Sequence, residues 1–304
     1  MVKEVEIKVE PSKIDDQSYL HNLTLQKAGF QSSSEKFAVQ ILKRSIDARG
    51  KKPLYVCRMG IYHKDALPKH KPHHEKYNDI SNSKRVVIVG AGPAGYWAAL
   101  ELIELGIKPI VLDRGKDVQA RRRDLRAIQQ FGEVNPHSNY CFGEGGAGTY
   151  SDGKLYTRSH KRGSIQKVLE QFVDHGAHTD ILVDAHPHIG SNKLPNIIAA
   201  MRKTIEEFGG EVHFNTHIID FDIQFGKVNA AIAASGEQFE GDALILATGH
   251  SARDIYTLLH ERNILIEAKP FALGVRIEHA QSYIDMLQYR QNPREEHLPA
   301  ASYQ

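Results

Sequence analysis

The sequence predicts an α/β fold in which a small α+β domain precedes a parallel sheet, and an antiparallel β-meander follows it. The apolar run RVVIVG (85–90) is typical of a strand buried on both faces, and a helical segment and a second such run, PIVLDRG (109–115), come after it. Strand-like runs separated by turn residues begin at residue 217. These observations place the chain among mixed α/β proteins.

Two domains are expected, at 1–80 and 81–304. In the first, KEVEIKV (3–9) alternates as a strand does, residues 18–29 suit a helix, and two further strand-like runs precede a connector rich in Pro, Lys, His and Asn. Those two runs are KFAVQILKRS (36–45) and KPLYVCRMGIY (52–62). The second domain adds a helix at 193–210 and a strand, EVHFNT, directly after it. Its predicted meander strands are HIIDFDIQFG, KVNAAIAAS and DALILATG.

Composition limits the range of functions. The chain has 304 residues with 39 Lys+Arg and 37 Asp+Glu, so a formal charge of +2 argues against nucleic acid or an anionic membrane as partner. Cys57 and Cys141 form no C-x-x-C pair, and the His-rich connector lacks ligands at metal spacing. The amino terminus lacks the apolar core of a signal peptide. We therefore expect a soluble cytoplasmic protein without a metal, acting on a small-molecule substrate.

The turn after RVVIVG contains G-x-G-x-x-G as Gly90, Gly92 and Gly95. The first glycine makes the tight turn, the second lets the backbone approach a pyrophosphate, and the third lets the helix pack on the sheet. Phosphates then lie at a helix N-terminus, where free N–H groups favour negative charge. Asp113 ends the next strand and can accept hydrogen bonds from an adenosine ribose. The motif predicts a Rossmann-like dinucleotide site but does not separate NAD from FAD.

The sequence resembles the two-dinucleotide-binding-domain flavoproteins, and specifically an uncharacterised bacterial group of predicted FAD-dependent dehydrogenases. The resemblance covers residues 84–279, and KRSIDAR (43–49) in the small domain also looks like that group. The segments that carry it are VGAGPAGYWAAL, LDRGKDVQARRRDL, NYCFGEGGAGTYSDGKL, DALILATGHSARD and KPFALGVRIEH. It implies FAD as the cofactor. Because members of the group continue beyond LPAASYQ, residues 81–304 are expected to be the FAD domain and only the start of a substrate domain.

The resemblance also implies roles for individual residues. Asp113 would hold the ribose beside Arg114, and Arg121 would reach the phosphate or adenosine end. Ile218 would offer backbone groups to adenine, and the ATG segment would close over the cofactor. GEGGAG would pass beside the pyrophosphate and the flavin ring. The predicted cofactor-binding residues are Gly90, Gly92, Pro93, Ala94, Gly95, Asp113, Arg114, Arg121, Gly145, Gly146, Ala147, Gly148, Lys154, Ile218, Ala247, Thr248 and Gly249.

Several side chains have two interpretations. Lys154 is either a cation at the N1/C2=O edge of the flavin or a surface lysine that pairs with Asp152. Cys141 is either a redox-active thiol or a small buried residue, the second being favoured. Arg276, beside Glu278, either binds an anionic substrate or forms an ion pair. In ARRRDLR (120–126) the arginines other than Arg121 are expected on a solvated helix face.

The predicted function is an FAD-dependent oxidoreductase that takes electrons from NAD(P)H or an organic donor. Two alternatives stay open: an NAD(P)-dependent dehydrogenase using only the segment from Gly90 to Asp113, and a non-catalytic nucleotide-binding or interaction module. Neither the catalytic residues nor the substrate follow from the sequence, because fold and cofactor do not specify them.

Overall fold

The computed structural model describes residues 1–31, 36–151, 153–157, 163–190, 192–275 and 277–302. The strands are β1 (Lys3–Val9), β2 (Phe37–Asp47), β3 (Leu54–His63), β4 (Arg85–Val89), β5 (Lys108–Leu112), β6 (Glu211–His213), β7 (Ile218–Gln224), β8 (Lys227–Ala233), β9 (Gln238–Glu240) and β10 (Ala243–Leu246). The helices are α1 (Gln17–Ala28), α2 (Pro93–Glu104), α3 (Val118–Phe131), α4 (Ile165–Asp174), α5 (Leu194–Glu207), α6 (Arg253–Glu261) and α7 (Gln281–Tyr289).

The chain divides into two compact units. The first comprises Met1–His70, Thr179–Pro187 and Pro270–Gln304, and the second comprises Lys71–His178 and His188–Lys269. The sequence placed a single boundary near residue 80. It gave no indication that two later segments belong with the N-terminal residues, because pairing between distant parts of a chain leaves no local pattern.

The first unit contains an antiparallel sheet in the order β1-β3-β2, with α1 in contact with it. Alternation along β1 buries Ile7 and Val9 while Lys8 between them is exposed, as expected for a sheet with one covered face. Asp16 begins α1 by accepting a hydrogen bond from the Tyr19 N–H at 2.9 Å. The small α+β arrangement predicted for the N-terminal residues is therefore present.

A later segment pairs with the edge of this sheet. The Arg44 N–H donates to the carbonyl of Val183 at 2.7 Å, and the Ala185 N–H donates to the carbonyl of Arg44 at 2.9 Å. The Arg44 guanidinium also donates to Asp184 at 2.8 Å and lies 3.2 Å from Asp180. Arg44 belongs to KRSIDAR, so this motif joins two distant parts of the first unit.

The second unit is built on a parallel sheet in the order β10-β4-β5-β6. Its central strands are apolar and buried on both faces, and Val87, Ile88, Val111 and Leu112 are at most 1% exposed. Helix α2 connects β4 to β5 and packs on the sheet. The predicted Rossmann-like unit is confirmed. In the described part of the chain, no helix is both long and apolar enough to cross a lipid bilayer.

The antiparallel meander is also present, but its third strand differs from the prediction. Strands β7, β8 and β9 form it, and β9 is the QFE segment that the sequence reading assigned to a connection. DALILATG instead supplies β10, which pairs in parallel with β4, Ala243 opposite Val86. Its run ALIL has no polar alternation, which is the pattern of a strand in a parallel sheet.

The close approach of α2 to β4 yields a first prediction. A Cβ added at Gly95 would lie 1.9 Å from the Gly90 carbonyl oxygen, so Gly95→Ala forces the helix away from the turn. We expect a loss of about 1–3 kcal/mol in the free energy of unfolding. Trp97, the sole tryptophan, lies in the same helix and its fluorescence reports urea denaturation there. Gly50→Ala is the control, since its Cβ meets nothing closer than 3.7 Å. Equal stability of the two variants would contradict the prediction.

Candidate cofactor site

The second unit contains a cleft of about 420 Å³ at the carboxyl ends of three parallel strands. Val89 ends β4, Leu112 ends β5 and Leu246 ends β10, and all three line it. Carboxyl ends of parallel strands are where α/β sheets bind ligands. The predicted residues that line the cleft are Gly90, Gly92, Pro93, Ala94, Asp113, Arg114, Gly146, Ala147, Gly148, Ile218, Ala247, Thr248 and Gly249.

The glycine turn after β4 lines the cleft and leads directly into the N-terminus of α2. Gly90 has φ +114°, and a Cβ there would lie 2.4 Å from the carbonyl oxygen of Ala247, so only glycine fits. Gly92 differs, because an added Cβ would meet no protein atom closer than the Gly146 Cα at 3.9 Å. Helix α2 begins directly after Gly92, with Pro93 at its first position. The free N–H groups of its first turn therefore lie beside open space.

Asp113 is less available than the sequence suggested. It is 7% exposed, and its carboxylate accepts backbone hydrogen bonds from Ala91 at 2.8 Å, Gly115 at 2.7 Å and Gly143 at 3.0 Å. Burial raises the pKa of this carboxyl, and the backbone N–H donors from Ala91 and Gly115 oppose the rise. A carboxylate has about four acceptor positions, so Asp113 retains room for about one further hydrogen bond. These bonds join the glycine-rich segment 139–148 (the glycine loop) to the glycine turn that follows β4.

The structure does not place Arg121 where the resemblance implied. Its side chain is 0% exposed and it does not line the cleft. Its guanidinium donates to carbonyl oxygens of the glycine loop, at Asn139, Tyr140, Gly143, Glu144 and Gly146, over 2.7 to 3.4 Å. Because an arginine has five N–H groups and all five are used here, none is left for a phosphate. The expectation that Arg121 contacts the cofactor is corrected to a role inside the protein.

Glu144 is a key residue that sequence reasoning missed. Its carboxylate is fully buried and accepts hydrogen bonds from the Tyr96 hydroxyl, the Arg202 guanidinium and the Val118 N–H, at 2.8, 2.8 and 2.7 Å. Those partners lie in α2, α5 and the first turn of α3, so one side chain joins the loop to three helices. Burial and the neighbouring Glu144 raise the pKa of Tyr96 well above its usual value. The only signal in the sequence was a carboxylate in the middle of a glycine run.

One end of the cleft carries a network of charged and aromatic groups. The Arg114 guanidinium donates to Asp254 and stacks on Phe142, 4.5 Å from the ring centroid. Asp254 also contacts His217 at 2.8 Å. Burial opposes ionisation of Asp254, but hydrogen bonds from His217 and Arg114 lower its pKa overall. Arg114 and Phe142 thus form one wall of the cleft.

The remaining predicted residues lie away from the cleft. Gly95 packs α2 on the sheet, and a Cβ at Gly145 would lie 1.8 Å from the Thr149 hydroxyl oxygen, so both glycines serve close packing. Lys154 is exposed and its backbone forms a β-bridge with His188, so its role beside the flavin stays a prediction. Asp152, its alternative partner, lies outside the described residues.

The two interpretations of Cys141 can be compared with the structure. Cys141 is exposed and lines the cleft, so the expectation of a small buried residue is wrong. Cys57 is the buried thiol, and burial raises its pKa to about 11. Arg276 lies outside the described residues. Within those residues, no cluster of three His, Cys, Asp or Glu side chains is arranged to hold a metal ion.

A parallel sheet with a glycine turn and an open cleft at its carboxyl ends defines a dinucleotide-binding protein of the Rossmann-like class. Residues 84–263, more than half of the chain, match the family described as pyridine nucleotide-disulphide oxidoreductase, and the chain belongs to it. Residues 270–304 match the family described as FAD-dependent protein, C-terminal domain-like, and residues 1–62 match a domain of unknown function. FAD is the cofactor of this flavoprotein fold, as predicted.

Two curated relatives match. An uncharacterized protein of Clostridium beijerinckii is 37% identical over 95% of this chain and 56% of its own length. The FAD-dependent monooxygenase nodY2 of Hypoxylon pulicicidum is 26% identical over 65% of this chain and 43% of its own length. The chain therefore spans about half the length of the curated relatives it matches.

Two solved structures illustrate the likeness to known folds. A flavocytochrome c3 fumarate reductase in an open conformation is 17% identical over 59% of this chain and 36% of its own, with a TM-score of 0.37. An L-amino acid deaminase from Proteus vulgaris is 14% identical over 59% of this chain and 50% of its own, with a TM-score of 0.31. Scores this low support no conclusion about function.

The ion pair between the buried Glu144 carboxylate and the half-buried Arg202 guanidinium yields a second prediction. Glu144→Gln leaves Arg202 without its buried partner, and we expect a loss of at least about 2 kcal/mol in the free energy of unfolding. Adding Arg202→Met should recover part of that loss, because it removes the charge that faced the Glu144 carboxylate. Urea denaturation of both single variants and the double variant measures the coupling.

A matched control exists for this cycle. Glu206 lies 3.8 Å from the same guanidinium but its side chain is 45% exposed, so Glu206→Gln should cost less than about 1 kcal/mol. Strictly additive effects of the Glu144 and Arg202 changes on the free energy of unfolding would show that the two side chains are not energetically coupled.

Proposed function

We propose that this chain is the FAD-binding part of an oxidoreductase that acts on a small-molecule substrate. The observation that carries the proposal is the open space at Gly92, between the first turn of α2 and the segment Gly146–Gly148. Backbone N–H groups, an absent Cβ and a second glycine segment meet there, which is the arrangement a pyrophosphate requires.

The cleft offers a distinct surface for each part of the cofactor. The pyrophosphate would lie at the N-terminus of α2, next to Gly92. The adenosine end would lie between the wall formed by Arg114 and Phe142 and the start of β7 at Ile218. Asp113 would supply a single hydrogen-bond acceptor to the ribose. Ala247, Thr248 and Gly249 would cover the cofactor from the end of β10.

FAD supplies the redox chemistry, accepting electrons from one reactant and passing them to another. The chain's own residues provide binding and orientation. The proposed electron donor is NAD(P)H or an organic molecule, since both fit the class of oxidoreductase to which the chain belongs.

A non-catalytic nucleotide-binding module is the second candidate function. It rests on the same open space at Gly92, which accounts for binding of a dinucleotide but assigns no residue to electron transfer. Such a module would bind FAD through the same cleft but would not transfer electrons.

The first measurement is an absorption spectrum of the purified protein. We expect flavin bands from bound FAD, or uptake of added FAD. Protein groups shape the walls of the cleft, so the site should be able to accept FAD that is added to the purified protein. Anaerobic addition of NADH, NADPH or dithionite then tests reduction. Bleaching by a nicotinamide supports the oxidoreductase; bleaching by dithionite alone supports the module or an organic donor. A protein that neither contains nor takes up FAD would overturn the proposal.

Replacement of Gly92 tests where the pyrophosphate lies. Gly92→Ala should leave the unfolding midpoint of the apoprotein unchanged, because the new Cβ meets no protein atom within 3.4 Å. The same Cβ would occupy space that the cofactor needs, so the FAD dissociation constant should rise at least tenfold, or about 1.4 kcal/mol. Fluorescence titration measures it, with Gly50→Ala as control. Unchanged affinity would place the pyrophosphate elsewhere.

A further inference from the structure

The Arg121 side chain is surrounded by the backbone of the glycine loop rather than by the cleft. It reaches Asn139 through Nε at 2.9 Å, Gly143 and Glu144 through one terminal nitrogen, and Tyr140 and Gly146 through the other. Its guanidinium also lies 5.4 Å from the centre of the Tyr150 ring. A charge this deeply buried is tolerated only when its donors are satisfied, which the carbonyls achieve.

The N–H groups of the same loop are bonded as well. Those of Gly143, Glu144, Gly145 and Gly146 donate to the Asp113 carboxylate, the Lys116 carbonyl, the Ala91 carbonyl and the Gly143 carbonyl at 2.8 to 3.0 Å. Residues 143–146 are all buried. Protein groups therefore bond all four of these N–H groups and the carbonyls of Gly143, Glu144 and Gly146.

We propose that Arg121 is a positioning residue for FAD: it fixes residues 139–146 in the shape that brings Gly146–Gly148 against Gly92, and does so before the cofactor binds. The inference rests on the proposed FAD site, and it goes beyond that site by assigning Arg121 an indirect action. The guanidinium acts on the cofactor through loop carbonyls and not through its charge on the phosphates.

The geometry makes this role specific to arginine. The five contacts require donors that spread in a plane, and lysine offers three donors from one point. The loop is also adapted to the arginine. Gly143 has φ +108°, and a Cβ there would lie 2.7 Å from the Arg121 Cδ, so the loop residue beside the guanidinium must be glycine. A lysine would keep the charge but could offer at most three donors, from one point, to the five carbonyls.

The first experiment compares Arg121→Lys with Arg121→Met by titrating each apoprotein with FAD at two salt concentrations. Both variants should raise the FAD dissociation constant at least tenfold, to values within threefold of each other, with the salt dependence of the wild type. Arg123→Lys and Arg123→Met are matched controls, because Arg123 is exposed on the same helix, and both should bind FAD as the wild type does.

Two other results of this titration would contradict the proposal. If Arg121→Lys binds as the wild type does while Arg121→Met binds weakly and less salt-dependently, the charge alone matters and the proposal fails. It also fails if both Arg121 variants fold and bind FAD with unchanged affinity.

Amide hydrogen exchange of the wild-type apoprotein tests whether the loop is ordered before FAD binds, even if the Arg121 variants do not fold. The N–H groups of residues 143–146 should exchange at least a hundredfold more slowly than unprotected amides, in the absence of FAD. Fast exchange that slows only when FAD is added would show that the cofactor orders the loop, and would overturn the proposal. Because this measurement needs no cofactor, its outcome is independent of whether the protein binds FAD.

Discussion

The burial of the Arg121 guanidinium is the constraint on which the cofactor site depends. A charged group removed from water costs several kcal/mol unless its hydrogen-bond donors are satisfied. Here the acceptors are backbone carbonyls, so residues 139–146 must turn their peptide oxygens inward around one side chain. That turn needs positive φ at Gly143, Gly145 and Gly146, which glycine adopts without strain. The glycine content of the loop follows from the arginine beneath it as much as from the cleft above it.

Two buried carboxylates complete the arrangement. Asp113 holds the loop to the glycine turn, and Glu144 holds it to α2, α3 and α5 through Tyr96, Val118 and Arg202. Each carboxylate is surrounded by donors, so each is anchored in one geometry. The walls of the cleft are therefore connected through hydrogen bonds in the protein interior.

Residues that stand close together in these sequence motifs have two different roles in the structure: some pack inside the protein and others line the cleft. Gly90, Gly95 and Gly145 are glycines because protein atoms would collide with a Cβ, whereas Gly92 is a glycine beside empty space. Arg114 lines the cleft, while Arg121, seven positions later, lies wholly inside the protein. The sequence motifs alone therefore do not tell which residues stabilise the fold and which face the cleft. The direction of each side chain in the structure decides this.

Local pattern was enough for much of this protein. The buried runs of β4 and β5, the glycine turn with the helix after it and the alternating β1 all follow from periodicity and motif spacing, because those signals depend on neighbours in sequence. The flavoprotein class was implied by the resemblance to a known family, since the glycine motif alone does not separate NAD from FAD. Most of the residues predicted for the cleft also line it. Three features required the tertiary structure: the pairing of β10 with β4 in place of the meander, the association of residues 179–187 with the edge of β2, and the burial of Arg121 and Glu144. Each depends on contacts between residues far apart in the chain, and the energy of burying a charge or pairing a strand is decided by those distant partners.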